Sequence, residues 1–111
     1  MIPGLSADQH VVRISEGEAV AAQYAWEGGQ YCALHTPRGI VGCGIYDVAC
    51  ADVFDLALAI ARGTPEHPLR TGEDLLDAKI VGVSRRADQL GIRVGMSGRE
   101  AVACLLAPPA A

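Results

Sequence analysis

The sequence is poor in aromatic residues and in positive charge, and both shortages restrict what the protein can be. Aromatic side chains make up 5% of the 111 residues and apolar ones 50%, so the core of this globular domain must consist of small aliphatic side chains. Its 9 Lys and Arg are outnumbered by 13 Asp and Glu, and Arg85-Arg86 is the only adjacent basic pair. Nucleic acids are bound by clustered basic side chains that neutralise phosphates, so nucleic-acid binding is not expected.

A long apolar run and a secretory leader are also missing. Asp52, Asp55 and Arg62 interrupt the longest apolar stretch, so no membrane-spanning helix and no membrane partner are expected. Residues 1–4, Met-Ile-Pro-Gly, contain no basic region followed by an apolar one, which argues against a signal peptide. We therefore expect a cytoplasmic protein, whose residues 1–9 form a loose lead-in.

Four cysteines are present, but no two of them form a Cys-x-x-Cys pair. Cys32, Cys43, Cys50 and Cys104 are separated by 11, 7 and 54 positions. This spacing fits neither the common zinc sites nor the common redox motif. Free thiols are expected in a cytoplasmic protein, and the sequence predicts neither a metal nor another cofactor.

The first half of the chain has a β-like pattern. Val, Ile and Tyr occur in short runs between turn residues, which predicts strands near residues 10–15, 18–26, 30–35 and 40–46. Connections this short join neighbouring antiparallel strands, so we predict an N-terminal antiparallel β meander.

A largely apolar central helix is predicted next. Asp47 stands at the N-cap position, residues 48–62 carry their polar side chains in one narrow stripe, and Gly63 ends the run. Because more than half of the circumference is apolar, we expect this helix to be covered on more than one side. A second subunit can supply part of the cover; a helix that lies on a sheet between two other helices has the same pattern.

Shorter elements fill the C-terminal half. They are a proline-bearing loop at 64–70, a helix capped by Thr71, a strand near 78–83, a helix capped by Ser84 and ended by Gly91, a last helix from 98 to about 106, and a tail at 107–111. Together the elements predict one domain, residues 1–111, with an α+β fold: the meander, the central apolar helix, and shorter C-terminal helices with one further strand.

The segment from Gly42 to Asp47 is the strongest candidate for chemistry. Glycines on both sides of Cys43 leave its sulfur accessible, and a nearby helix N-terminus lowers a thiol pKa. Cys43 and Asp47 are therefore candidate catalytic residues of a thiol-dependent enzyme or redox protein. The alternative interpretation makes Cys43 a small buried strand residue and Asp47 a helix cap.

A predicted hairpin brings two cysteines together. With its turn at residues 36–39, Cys32 pairs near Cys43 and both face one side of the sheet, whereas His35 faces the other side. This arrangement argues against a three-ligand metal site within the hairpin. It leaves open a redox pair, half of a site shared between subunits, or ordinary packing.

The segment Gly95–Ala101 predicts a turn that leads directly into the last helix. Ser97 and Glu100 have the spacing of a capping box, in which each side chain accepts a hydrogen bond from the other residue's backbone. Ser97, Gly98 and Arg99 are also candidate binding residues for a small anionic ligand, since a helix N-terminus attracts anions. Capping alone explains the same residues without a ligand.

Three motifs connect the chain with a known family. They are Cys43-Gly44-x-x-Asp47, Thr71-x-x-x-Leu75-Leu76 and Ala87-x-x-Leu90-Gly91-Ile92-x-Val94-Gly95-Met96-Ser97-Gly98-x-Glu100-Ala101. Over roughly residues 30–106 the chain resembles the YunC-like family of small bacterial and archaeal proteins, a domain of unknown function. The resemblance implies an α+β fold and a tetramer in whose formation the N-terminal β region takes part; it supplies no catalytic residue. The loop at 64–70 is a departure from the family pattern.

The sequence therefore favours a homo-oligomeric binding or interaction module whose partner is another copy of itself. Two alternatives stay open: thiol chemistry at Cys43, and binding of a small anionic metabolite at Ser97. No recognisable nucleophile–base pair is present, so the sequence does not decide whether the protein is an enzyme.

Overall fold

Six strands and four helices make up the computed structural model, which describes residues 3–108. The strands are β1 (Leu5–Ile14), β2 (Gly17–Trp26), β3 (Gly29–Thr36), β4 (Gly39–Gly42), β5 (Leu58–Arg62) and β6 (Lys79–Val83). The helices are α1 (Val48–Val53), α2 (Gly72–Leu76), α3 (Arg85–Gln89) and α4 (Gly98–Leu106).

The strands lie in one sheet in the order of the chain, β1 to β6. Strands β1 to β4 form an antiparallel meander, as predicted; β4 and β5 are parallel, and β5 and β6 are antiparallel. The predicted α+β fold is confirmed. The sheet contains two strands beyond the meander where the sequence predicted one, because residues 58–62 form β5 and not helix.

The central helix is much shorter than predicted, and the prediction over 48–62 is wrong beyond Val53. Asp55 adopts a φ of 56°, a left-handed conformation that Asp accepts more readily than most residues, and it turns the chain out of the helix. The following Leu-Ala-Ile-Ala run, from Leu58 to Ala61, alternates large and small side chains. That period of two is the pattern of a strand.

The first strand begins earlier than predicted. Residues 5–9 belong to β1 and are not part of a loose lead-in, because β1 pairs with β2 without interruption from Leu5 opposite Trp26 to Ile14 opposite Gly17. Strand β4 ends at Gly42, four residues before the predicted end. Residues 1–2 of the predicted lead-in and 109–111 of the predicted tail lie outside the described residues.

The core lies between one face of the sheet and helices α2 and α4. Fully buried side chains from both layers fill it: Ala21, Leu34, Val41, Ala59, Leu75, Val102 and Leu105. The layers approach closely at Gly72, the first residue of α2. A side chain at this position would place its Cβ 2.4 Å from the Cβ of Ala21, so only glycine allows this approach. A core of small residues needs this close approach to reach normal packing density.

A β-bulge between β5 and β6 allows a residue of β6 to pack in that core. Strand β6 advances two residues, from Ile80 to Gly82, while its partner β5 advances one, from Ala61 to Ile60. The extra residue turns Ile80 to the helix side, where it is fully buried.

The opposite face of the sheet is covered only in part. Helix α1 packs on it near β5, with the side chain of Val48 close to Gly82, while the described helices leave the strands of the N-terminal hairpin open on this side. The molecule is elongated, with principal extents of 49 × 28 × 27 Å. Among residues 3–108, no helix combines the length and the apolar character needed to cross a bilayer.

Candidate functional site

A cavity of about 620 Å³ lies at the carboxyl ends of the two parallel strands. Strand β4 ends at Gly42 and β5 at Arg62, so the segments that follow them leave the sheet at the same edge. In sheets with parallel strands, ligands commonly bind beside such carboxyl ends. Cys43 lies on the cavity wall, and Arg62 is the only charged residue among those that line it.

The proline-bearing loop at 64–70 forms much of the opposite wall. The backbone N–H of Thr64 donates to the carbonyl of His67 at 3.1 Å, and the N–H of His67 donates back to the carbonyl of Thr64 at 3.1 Å. Pro65, Pro68 and Leu69 from this loop face the cavity. The loop that departs from the family pattern is thus part of the candidate site.

Cys32 and Cys43 lie opposite each other, as the hairpin predicted. The N–H of Cys43 donates to the carbonyl of Cys32 at 3.1 Å, and the N–H of Cys32 donates to the Sγ of Cys43 at 3.5 Å. A regular ladder would direct this second bond to the carbonyl of Cys43, which instead accepts from the N–H of Tyr46 at 3.2 Å. Cys32 is 0% exposed and Cys43 is 7% exposed.

The two thiols have opposite tendencies to ionise. The hydrogen bond from the Cys32 side chain, helped by backbone hydrogen bonds from Ile45 and Cys32, lowers the pKa of Cys43 to about 5 against the effect of burial. The same side-chain contact, together with burial, raises the pKa of Cys32. Both shifts favour ionisation of Cys43 and protonation of Cys32.

Tyr46 lies next to this segment. Its ring lies over Gly42, where an added Cβ would come within 2.5 Å of the ring carbon Cδ2. Burial is the main cause that raises the pKa of Tyr46, and the nearby charge of Cys43 raises it further. The phenol consequently stays protonated beside the thiolate.

Asp47 is the N-cap of α1. Its Oδ1 accepts a hydrogen bond from the N–H of Ala49 at 3.0 Å, and it does not line the cavity beside Cys43. Helix capping accounts for this residue, and its catalytic role stays a prediction.

Ser97 and Glu100 form the predicted capping box. The N–H of Glu100 donates to Ser97 Oγ at 3.1 Å and the N–H of Ser97 donates to Glu100 Oε1 at 3.1 Å, while the N–H of Gly98 donates to the carbonyl of Ala78 at 2.8 Å. The N–H groups of Ser97, Gly98 and Glu100 are thus already paired, and a carboxylate lies beside them. Anion binding by Ser97, Gly98 and Arg99 stays a prediction.

Gly98 has a packing role of its own. An added Cβ would lie 1.7 Å from the carbonyl oxygen of Leu75 in α2. The start of α4 can therefore approach the end of α2 only without a side chain at this position, which makes the Gly95–Ala101 segment a structural element.

Arg62 is the residue that the sequence interpretation missed. It was placed inside the predicted helix, whereas it ends β5 directly opposite Lys79 of β6. Neither residue takes part in an ion pair within residues 3–108, although like charges that face each other across strands repel. The period-two alternation after Asp55 was the signal that would have identified it.

A second cavity, of about 680 Å³, adjoins the first along the same loop. Arg62 lines both, and Lys79 and Arg70 line the second together with Glu66, Asp74 and Asp77. Asp74 is occupied in the capping box of Thr71, where it accepts from the N–H groups of Arg70 and Thr71 at 3.0 Å. Within residues 3–108, no three of His, Cys, Asp and Glu are grouped as a metal site.

Comparison with known proteins identifies the relatives of this chain. The model of the family "Domain of unknown function (DUF1805)" matches residues 42–105. The chain belongs to this family. The match begins at the start of the Cys43 segment and includes β5, Arg62 and the capping box of α4, so most of the cavity wall lies inside the family domain, whereas Cys32 lies outside it.

A relative agrees with this assignment, and a solved structure agrees with the fold. Uncharacterized protein YunC of Bacillus subtilis (strain 168) is 39% identical over 72 residues, which are 65% of this chain and 70% of that protein. The predicted membership of a YunC-like family is confirmed. The crystal structure of a protein of unknown function, TA1206 from Thermoplasma acidophilum, has a TM-score of 0.81 and 18% identity over 95% of this chain and 98% of that chain. That similarity confirms the fold, including the N-terminal meander that the family model does not reach.

Proposed function

We propose that this protein is a self-associating interaction module, and that a second copy of the chain binds to the open face of β1, β2 and β3. The observation that supports this is the apolar character of that face. Side chains alternate along paired strands, and the apolar ones that share this face are Leu5, Ala7, Val11, Val20, Ala22, Tyr24, Trp26, Tyr31 and Ala33. Gln9 and His35 lie on the same face.

The middle of the open face is exposed in a single subunit. Val11 and Val20 are directly paired across β1 and β2, and they are 55% and 42% exposed. Trp26 is exposed to a similar extent at the far end of the hairpin. A contiguous apolar surface of this kind on a soluble domain usually marks an interface.

Aromatic side chains are concentrated on the same face. Tyr24 and Tyr31 stack with ring centroids 5.0 Å apart, and Trp26 meets Tyr31 edge-on at 5.9 Å. The helix-side core of the sheet contains no aromatic side chain among the described buried residues. Since aromatic residues are enriched at protein interfaces, their location favours the open face as the binding surface.

Charge favours a second copy as the occupant. By strand alternation, the charged side chains at the end of this face are Arg13 and Glu18, and they pair with each other. The face therefore presents no net charge that would repel an identical face. A two-fold contact between two identical patches is the commonest way in which such surfaces are covered.

A tetramer, which the family resemblance implies, needs a second and different contact. The turn after α1 supplies a suitable surface, because Val53, Phe54 and Leu56 are all exposed there and Phe54 is 68% exposed. Two distinct two-fold contacts generate a tetramer of dimers. We place this assembly in the cytoplasm, which agrees with four cysteines that are all free.

Light scattering of the purified chain tests self-association. We expect a mass that is a multiple of the chain mass at micromolar concentration. A strict monomer under those conditions would contradict the proposal.

A second function, thiol chemistry at Cys43, is favoured by a different observation. The Sγ of Cys43 accepts a hydrogen bond from the N–H of Cys32 and belongs to a residue on the wall of a cavity. A thiolate stabilised in this way beside an open space has the properties of a reactive cysteine.

A further inference from the structure

We propose that the cavity beside Cys43 binds a small disulfide that carries carboxylate groups, and that the Cys32–Cys43 pair reduces this disulfide. The proposal rests on thiol chemistry at Cys43 and adds the class of substrate and the products. It depends on three features of the structure: the position of the two thiols, the access to one of them, and the charge on the cavity wall.

The position of the thiols permits a bond between them. Cys32 and Cys43 are opposed residues on two antiparallel segments and are joined by the 3.1 Å hydrogen bond between their main chains. Opposed residues of this kind have Cα atoms about 5.5 Å apart, which is inside the range of roughly 4.4–6.8 Å that a disulfide spans. The pair can therefore become oxidised without separating the strands.

Access distinguishes the two cysteines. Cys43 lines the cavity, whereas Cys32 does not line it and is fully buried. Of the two cysteines only Cys43 is on the cavity wall, so we assign to Cys43 the attack on the substrate and to Cys32 the attack on the intermediate. The hydrogen bond between the thiols also favours Cys43 as the first nucleophile, because it stabilises a thiolate on Cys43.

Charge on the wall selects the substrate. Apart from Cys43, whose thiolate is the reacting group, Arg62 is the only residue with a charged side chain among those that line the cavity, and Lys79 lies directly opposite Arg62 at the end of the neighbouring strand. A guanidinium without an ion-pair partner binds a carboxylate through paired N–H groups. A neutral or cationic disulfide would leave that group without a partner.

The reaction is balanced within the pair and one substrate molecule. The thiolate of Cys43 attacks one sulfur of the substrate, so that a mixed disulfide forms while the substrate S–S bond breaks, and the released thiolate takes the proton of Cys32. The thiolate of Cys32 then attacks the Sγ of Cys43, forms the Cys32–Cys43 disulfide and expels the second substrate thiolate, which takes a proton from water. One disulfide is reduced to two thiols, and two cysteines are oxidised to one disulfide.

Three disulfides of similar size and different charge test this proposal. They are dithiodipropionate, which is anionic, hydroxyethyl disulfide, which is neutral, and cystamine, which is cationic. The full-length chain carries Cys50→Ser and Cys104→Ser, so that only the pair reacts. We expect dithiodipropionate to oxidise the pair about fivefold faster than hydroxyethyl disulfide. This is the factor that one attraction between unit charges at close range in water supplies. Cystamine should be the slowest of the three.

Two substitutions make the expected results specific. Arg62→Gln should remove the difference between the three disulfides, whereas Arg93→Gln, which removes the charge of a residue that does not line the cavity, should preserve it. Cys32→Ala should stop the reaction at a mixed disulfide on Cys43, detected by mass spectrometry, while the unsubstituted pair should end as an internal disulfide. Circular dichroism of each variant verifies that it is folded.

Two results would overturn different parts of the proposal. Equal rates for all three disulfides, or the fastest rate for cystamine, would contradict the anionic substrate class and leave thiol chemistry standing. A failure of Cys43 to react with any of the three would contradict the thiol function itself.

Discussion

The backbone N–H of Cys32 donates a hydrogen bond to the Sγ of Cys43 at 3.5 Å, at a position where a regular antiparallel ladder would offer a carbonyl oxygen. The exchange occurs because the chain leaves the sheet after Gly42, and the carbonyl of Cys43 turns to accept from Tyr46. One thiol of a buried pair thereby receives both a backbone donor and a side-chain donor. The end of β4 is thus the point at which the fold and the candidate chemistry depend on the same residues.

The first prediction concerns the pH dependence of Cys43 alkylation by iodoacetamide. Because the hydrogen bond from Cys32 lowers the pKa of Cys43 to about 5, the thiolate is already formed well below neutral pH. The alkylation rate of Cys43, followed by peptide mass spectrometry, should change little between about pH 6.5 and pH 8.5, whereas an ordinary exposed thiol gains reactivity steeply over that interval.

Cys50 provides the internal comparison for this measurement, since it is exposed on α1. Cys32→Ala should restore a steep pH dependence at Cys43 by removing the main donor to its sulfur. A steep profile for Cys43 in the unsubstituted protein would contradict the assigned thiolate.

The second prediction concerns the pH dependence of stability through His10. Its Nε2 lies 2.8 Å from Glu73 of α2 and its Nδ1 lies 2.8 Å from Asp8. The hydrogen bond to Glu73, followed by the one to Asp8, raises the pKa of His10 above 6.5. A raised pKa in the folded state means that the stabilisation is fully present below about pH 6.5 and is lost as the pH rises through the folded-state pKa.

Thermal unfolding of the protein and of His10→Gln over a pH series measures this effect. The difference in Tm between the two should be largest on the acidic side of about pH 6.5 and should shrink at higher pH. The difference should be small throughout, because the ion pairs are largely exposed to solvent. A difference that stays constant or grows with pH would contradict the role of His10.

The third prediction concerns Ser84, the fully buried polar side chain that holds the turn between α1 and β5. Its hydroxyl donates to the carbonyl of Leu56 at 2.7 Å and accepts from the N–H of Leu58 at 2.9 Å. Ser84→Ala removes these bonds and the cap of α3, and should lower the free energy of unfolding by about 3 kcal/mol.

Ser15→Ala is the matched control for Ser84. Ser15 is exposed in the β1–β2 turn, so its substitution should change the free energy of unfolding, measured by urea titration, by less than about 0.5 kcal/mol. Equal effects of the two substitutions would show that the Ser84 hydroxyl does not hold the turn.

Local signals in the sequence predicted much of this fold. The hairpin turns, the caps at Asp47, Thr71 and Ser97, and the opposition of Cys32 and Cys43 follow from residues within a few positions of one another, and all are present. Short-range chemistry decides these features, since a cap or a tight turn forms its hydrogen bonds with neighbouring residues.

The parallel pair of strands was missed for a physical reason. The polar residues of 48–62 are spaced as on one face of a helix, and this helical pattern outweighed the alternation of large and small side chains after Asp55, where the chain turns. Residues 58–61 form a strand because β5 pairs with β4 on one side and with β6 on the other. The local sequence does not contain this pairing information. The position of Arg62 at the cavity depends on that pairing and was missed with it.

The central claim is that the open face of the N-terminal strands binds a second copy of the chain. Introducing charge at its centre, with Val11→Glu and Val20→Glu together, should reduce the mass measured by light scattering, because burying carboxylates without partners is strongly unfavourable. Val94→Glu is the control, since Val94 is 62% exposed outside that face, and it should leave the mass of the assembly unchanged. An assembly of unchanged mass in the folded double variant, or dissociation caused equally by Val94→Glu, would contradict the claim.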